Sequence, residues 1–108
     1  MSKNPLRAGL IPLHIVYHAV KEEIYGQGML DELRRHGYTI GPGTLYPMLH
    51  RLRDNGYLTV RVERQGKSSR RYYRATPKGV QALEAVKPQV VELFDELIGE
   101  RKHRSKHR

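Results

Sequence analysis

Between Gly41 and Leu58 the chain runs GPGTLYPMLHRLRDNGYL. Leu45, Met48, Leu49 and Leu52 recur there at three- and four-residue spacing, which makes one side of a helix apolar. Steps of about 100° per residue then turn Tyr46, Pro47, His50, Arg53 and Asp54 to the other side and leave Thr44 and Arg51 on the flank. Most of these side chains can pair with base edges or hold phosphates, and Pro47 adds a compact apolar contact. A second group follows. The segment Arg61 to Arg74 carries six Lys/Arg against one Glu, with Lys67, Ser68, Arg70 and Arg71 around its middle. Such residues neutralise a polyanion rather than make or break bonds.

The charge of the whole chain is distributed in the same sense. Twenty Lys+Arg against eleven Asp+Glu give a formal charge of +9 in 108 residues. The tail RKHRSKHR holds five Lys/Arg and no acid, so outside the tail and the Arg61–Arg74 segment the chain nets to −1. Charge concentrated in two patches points to a polyanionic partner, and neither patch has an apolar face to insert into a membrane. The length suits one domain with a modest core, either monomeric or sharing that core in a dimer. There is no cysteine. Disulfides and thiolate metal sites are therefore excluded, in keeping with a cytoplasmic location. No apolar run approaches membrane-spanning length, and MSKNPLRAG lacks the apolar stretch of a signal peptide.

The positioning elements follow from periodicity. Leu6, Leu10, Leu13, Tyr17, Val20 and Ile24 mark a first amphipathic helix, widened by Ile11, Ile15 and Val16; Pro12 requires that it begin near Leu10 or Ile11, after a short arm. Tyr25, Met29, Leu30 and Leu33 mark a second helix closed by Gly37. For the third, Thr44 as N-cap puts Pro47 at the last position whose N–H has no helical partner. A start at Pro42 would place Pro47 in mid-helix at a cost of about 3 kcal/mol. Leu58, Val60 and Val62 alternate with polar residues as in a half-buried strand, Gln65 to Ser69 forms a loop, and Arg70 to Thr76 returns as a second strand. Thr76-Pro77 then starts a last helix with Leu83, Val86, Val90, Leu93 and Leu97 in a stripe widened by Phe94 and Ile98; Pro88 must kink or break it. The expected organisation is a DNA-binding unit over 1–76, a C-terminal helix over 77–99 kinked near Pro88, and a disordered basic tail over 100–108.

Three helices followed by a β-hairpin is the order of a winged helix-turn-helix, mainly α with a small hairpin. The third helix would enter the major groove and the hairpin would lie beside it on the backbone. The residues quoted carry a further likeness. Pro42-Gly43-Thr44-Leu45-Tyr46-Pro47, then Arg51-Leu52 with Gly56 and Leu58, then Tyr72-Tyr73 with Thr76 and Gly79, resemble the PadR family of bacterial transcriptional regulators. Tyr25-Gly26 resembles the start of that family's second helix, and the likeness covers about residues 10 to 98. It implies a homodimeric repressor that binds a palindromic operator in double-stranded DNA and is released by a small molecule or another signal. It also implies the short branch, with a single C-terminal dimerisation helix built on Leu83, Val86, Val90, Leu93, Phe94 and Leu97. No tryptophan is present for the aromatic sandwich that one branch uses on planar drugs, so the effector's class stays open. An architectural protein binding nucleic acid without sequence preference is the alternative that the charge alone allows.

Other constellations are weaker. His14 and His18 stand four apart on one helix, a spacing that can supply two metal ligands, but two are too few, so packing or polar surface roles are the default. His103 and His107 share the spacing in the tail. Lys67-Ser68-Ser69 lacks the glycine-rich context of a phosphate-binding loop. No serine has a plausible histidine and acid partner set, so neither enzymatic activity nor a cofactor is expected.

Overall fold

A computed structural model describes residues 6–99, and the tail expected over 100–108 lies outside them. A 3-10 turn over Arg7–Leu10 stands where the short arm was expected. Then follow α1 (Ile11–Lys21), β1 (Ile24–Tyr25), α2 (Gly26–Arg35), α3 (Pro42–Asp54), β2 (Leu58–Gln65), β3 (Ser68–Ala75) and α4 (Pro77–Leu97). The strands form one antiparallel sheet in the order β1-β3-β2. The winged helix-turn-helix with a long final helix is therefore the observed architecture.

One core ties α1, α2, α3 and the sheet together. Ile15, Leu33, Leu45, Leu49 and Tyr73 are its largest fully buried side chains, ringed by Ile11, Val16, Ala19, Ile24, Met29, Leu30, Ile40, Met48, Leu52 and Leu58. For α1 this reverses the expected emphasis. Ile11, Ile15 and Val16 face the core, whereas Leu10, Tyr17 and Val20 stay exposed. Leu10, Leu13 and Tyr17 instead line a groove against Leu83, Val86 and Val90 of α4. Ile24 is not helical at all. It opens β1 opposite Tyr73, a third strand that the hairpin reading omitted.

Both short helices end as their glycines require. Gly37 (φ 93°) and Gly56 (φ 86°) adopt the left-handed conformation. Tyr38 N–H returns to Leu33 O at 3.0 Å, and Tyr57 N–H to Leu52 O at 2.9 Å, the closing bonds of a Schellman cap.

The start of α3 differs from expectation. Gly41, extended at φ −120°, is the N-cap and Pro42 lies in the first turn, so Thr44 is helical and Pro47 sits inside the helix. Gly41 O accepts from Thr44 N–H and Leu45 N–H at 3.1 and 3.0 Å, closing a turn that Pro42 preorganises. Pro47 withdraws a bond only from Gly43, which is exposed, so water can serve its carbonyl. The wing differs too. Its strands run to Gln65 and from Ser68, leaving a two-residue turn with Gly66 at φ 65° instead of a five-residue loop. The burial alternation also stops early. Leu58 is buried and Val60 half-buried, but Val62 is exposed, because the outer wing projects beyond the body.

Thr76 caps α4 by accepting from Gly79 N–H at 3.0 Å. Pro88 does not break α4, which is helical from Pro77 to Leu97. The helix leaves the body as it proceeds: Leu83 packs against the core, whereas Leu93, Phe94 and Leu97 are 47%, 56% and 68% exposed. The Cα radius of gyration is correspondingly 16.5 Å, against about 13 Å for a compact domain of this size.

Two substitutions test this packing by urea denaturation. Leu49→Ala, beneath α3, should lower stability by about 2–5 kcal/mol. Gly79→Ala would set a Cβ 2.2 Å from the Tyr57 carbonyl oxygen, and overpacking of that kind should cost about 1–3 kcal/mol. A midpoint unchanged by either would contradict the packing described.

Candidate nucleic-acid interface

The outward row of α3 and the inner edge of the wing face each other across a cleft of about 380 Å³. α3 contributes Tyr46 and His50, β3 contributes Ser69, Arg70 and Arg71, and Tyr25, Gly26 and Gln27 supply the remaining wall at the start of α2. Tyr46 reaches across to that wall. A Cβ added to Gly26 would lie 2.3 Å from Tyr46 Cε1, so the ring occupies the space that a side chain at 26 would fill. Tyr46 therefore braces α3 against α2 while keeping 36% of its surface exposed. Sequence reading had turned it wholly outward.

The wing's orientation rests on a ladder of rings and guanidiniums. Tyr25, Tyr72 and Arg61 are successive cross-strand neighbours in β1, β3 and β2. Arg61 lies 4.6 Å from the Tyr72 ring centroid, Tyr72 meets Tyr25 edge-on at 5.9 Å, and Arg70 covers Tyr25 at 4.2 Å. Arg61 also donates to both carboxylate oxygens of Glu23, at 2.7 and 2.8 Å, and to Glu63 at 2.8 Å. The hydrogen bonds that Arg61 donates hold the Glu23 carboxyl below the usual carboxylate range, and the Glu23 and Glu63 carboxylates that accept from it keep the guanidinium firmly charged. Arg61 is thus engaged within the protein, despite belonging to the basic segment.

The other expected contact residues spread along the same side. Thr44, Pro47 and Arg51 are exposed on α3, and Arg53 pairs with Asp54 at 3.0 Å. Lys67 lies in the wing turn, and Ser68 Oγ donates to Gln65 O at 3.1 Å, serving the turn itself. The fold brings Tyr46, His50, Arg70 and Arg71 together and leaves Lys67 and Ser68 out at the tip. Sequence reading missed Tyr25, Gly26, Gln27 and Ser69. The available signal was the aromatic pair of Tyr25 with Tyr72, hidden because β1 is only two residues long.

Away from the cleft, with no lining residue in common, α1 and α4 border a groove of about 680 Å³, lined by Leu10, Leu13, Tyr17, Leu83, Val86 and Val90 with His14, His18 and His36. The stripe expected on α4 is thus partly applied to α1 and partly open. His14 and His18 do not act as a pair. His14 Nε2 hydrogen-bonds the Tyr38 hydroxyl at 3.0 Å and its ring stacks on His36. Burial first, and then the nearby His36 and His18, hold His14 below its ordinary pKa.

Comparison with known proteins gives this arrangement its context. A profile described as "Transcriptional regulator PadR-like family" matches residues 15–85. The chain is 43% identical over 93 residues to the transcriptional regulator Rv3488 of Mycobacterium tuberculosis, covering 86% of this chain and 87% of that one. A PadR family transcriptional regulator from Eggerthella lenta superposes with a TM-score of 0.79 at 32% identity, over 86% of this chain and 82% of that chain. Bacillus subtilis PadR, solved in complex with operator DNA, shares the fold with a TM-score of 0.64 at 24% identity, over 70% of this chain and 44% of that chain. Among the described residues no helix is long and apolar enough to cross a membrane. The matched span runs from within α1 to the first turns of α4 and holds every wall of the cleft: the chain belongs to the PadR-like family of transcriptional regulators, a family of regulators rather than of enzymes.

Proposed function

We propose that the chain is a homodimeric, sequence-specific repressor that binds a palindromic operator, with α3 in the major groove and the wing on the flanking backbone. The observation that carries the reading is the cleft in which Tyr46 and His50 of α3 confront Arg70 and Arg71 of β3. Arg51, exposed on the flank of α3, and Lys67 at the wing tip extend the basic rim at either end. Base-facing donors on a helix beside phosphate-holding cations on a strand is the division of labour that groove recognition needs. The Bacillus subtilis protein of the same fold was solved on operator DNA. Dimerisation is supported by the apolar row Val90, Leu93, Phe94 and Leu97, which a single chain leaves in water. Two-fold symmetry would set the α3 helices on half-sites about one DNA turn, roughly 10 bp, apart or a multiple of it. Release by an effector acting on the dimer completes the reading, and such a protein works in the cytoplasm. Selection of bound fragments from genomic DNA tests the whole. A recovered palindrome bound no better than its scrambled version would favour the architectural alternative.

The role of Tyr46 can be isolated through its neighbour. Gly26→Ala must displace the Tyr46 ring, whose tip can swing away, so the melting temperature should hold within a few degrees. Operator affinity should fall, and Arg51→Ala should cost a further contact worth about 1–3 kcal/mol if it reads a base. Titrations of both variants against the selected operator check this; unchanged affinity in both would remove α3 from the interface.

Leu93→Glu would place a charge in the apolar row and should give monomer or insoluble protein by sedimentation velocity. A folded, dimeric Leu93→Glu would disprove a seam built on α4. Deleting 101–108 removes five Lys/Arg. Specific and non-specific binding should weaken alike, with a shallower salt dependence. A changed sequence preference would make the tail a reader.

A further inference from the structure

The end of α1 and the end of α2 bring together three side chains that share the donor chemistry of a metal site. One ligand atom from each of His18, Glu32 and His36 lies within 4.8 Å of the other two. Both imidazoles face the same carboxylate oxygen, His36 at 2.8 Å and His18 at 3.8 Å. Glu32 and His36 stand four apart, so one helical face presents both. His18 comes from the facing helix, and the two helices are fixed by the buried Ile15, Ala19, Met29 and Leu33. We propose that His18, Glu32 and His36 bind a divalent transition-metal ion of the zinc type, an assignment independent of the DNA-binding reading.

The geometry suits such an ion with small adjustments. Zinc takes imidazole nitrogen and carboxylate oxygen at about 2.0–2.2 Å, which spaces tetrahedral donors by roughly 3.3–3.5 Å. The His36–Glu32 contact must open slightly and the widest pair, no more than 4.8 Å apart, close by up to about 1.5 Å, movements within the reach of χ rotations at a partly exposed site. The neighbours already orient these ligands. Arg35 donates to Glu32 Oε1, which leaves Oε2 to the ion, and His14 stacks on His36 with ring centroids 5.6 Å apart. The His18 and Glu32 side chains are 23% and 26% exposed and that of His36 is 49% exposed, so one side stays open for entry and for a water ligand. Two imidazoles and one carboxylate without thiolate favour zinc, cobalt, nickel or copper over magnesium or calcium. The nearby Arg35 charge opposes a dication and should keep the affinity moderate.

The experiment uses the untagged full chain. Calorimetry with Zn²⁺ at neutral pH should show one ion per chain at this site, and Co²⁺ should develop visible d–d bands. His18→Gln, Glu32→Gln and His36→Gln should each weaken that binding at least about tenfold, the loss already expected from disturbing groups that merely support a ligand. His50→Gln and the His103→Gln/His107→Gln pair should leave the site intact, and Mg²⁺ should not compete. On the wild-type chain, Zn²⁺ should shift the imidazole proton signals of His18 and His36 but not of His50, a readout that stands even where a variant folds poorly. Undiminished binding in a folded His18→Gln/His36→Gln variant, or wild-type signals of His18 and His36 unmoved by Zn²⁺, would leave only a metal-free His–Glu contact and overturn the assignment.

Discussion

The molecule is organised around a knot at which four elements meet. α3 ends at Asp54 and is closed by Gly56, β2 begins just after Tyr57, β3 ends at Ala75, and α4 starts at Pro77. Thr76 joins them. Its hydroxyl donates to Gly56 O and accepts from Gly79 N–H at 3.0 Å, while its own N–H reaches Tyr57 O at 3.0 Å. One hydroxyl can do this because it carries a donor and two acceptor lone pairs. Gly79 completes the knot by its missing side chain, since any Cβ would collide with the Tyr57 backbone. Lys78 then lies 5.6 Å from the Tyr57 ring centroid. The spaced glycines and threonine of the two sequence motifs are therefore one contact seen from both sides. These contacts tie the first turn of α4 to the residues that follow α3.

Tyr46 shows a second constraint of the same kind. Its ring lies in the space above Gly26, so one side chain both touches α2 and lines the cleft. α3 as a whole divides more cleanly: Leu45, Met48, Leu49 and Leu52 lie in the core while Thr44, Pro47 and Arg51 remain exposed. The first set is placed to carry stability and the second to meet a partner, while Tyr46 is placed for both.

Much of this was legible in the residues. The periodicities of α2 and α3, Gly37 as the cap of α2, and the Thr76-Pro77 helix start depend on local chemistry, and the structure shows each of them. The errors arose where tertiary context decides. The start of α3 turned on whether a mid-helix proline costs more than a first turn preorganised by Pro42, and exposure of Gly43 tips that balance. Two apolar faces on α1 could not be ranked from spacing alone, because what covers each belongs to other elements. β1 is two residues of a strand defined only by its partner, and with it went the Tyr25–Tyr72–Arg61 ladder. Glu32 and His36 stood four apart in plain view, but their meeting with His18 needs the crossing of α1 and α2.

The ladder also changes what the charge count means. Six cations in the wing segment suggest a uniformly sticky strip, and counting alone would treat them as equivalent. Arg61 is instead spread over Glu23, Glu63 and the Tyr72 ring, so much of its hydrogen-bonding capacity points into the protein. Arg70 rests on Tyr25, half-buried, with its direction fixed. Arg64, Lys67, Arg71 and Arg74 are exposed. A fixed guanidinium loses less side-chain entropy on meeting a phosphate than a mobile one, whereas exposed cations chiefly add long-range attraction that salt screens. Under the proposed DNA-binding reading the wing separates aim from reach: Arg70, held on Tyr25, would fix a docking point, and the exposed cations would draw the polyanion in.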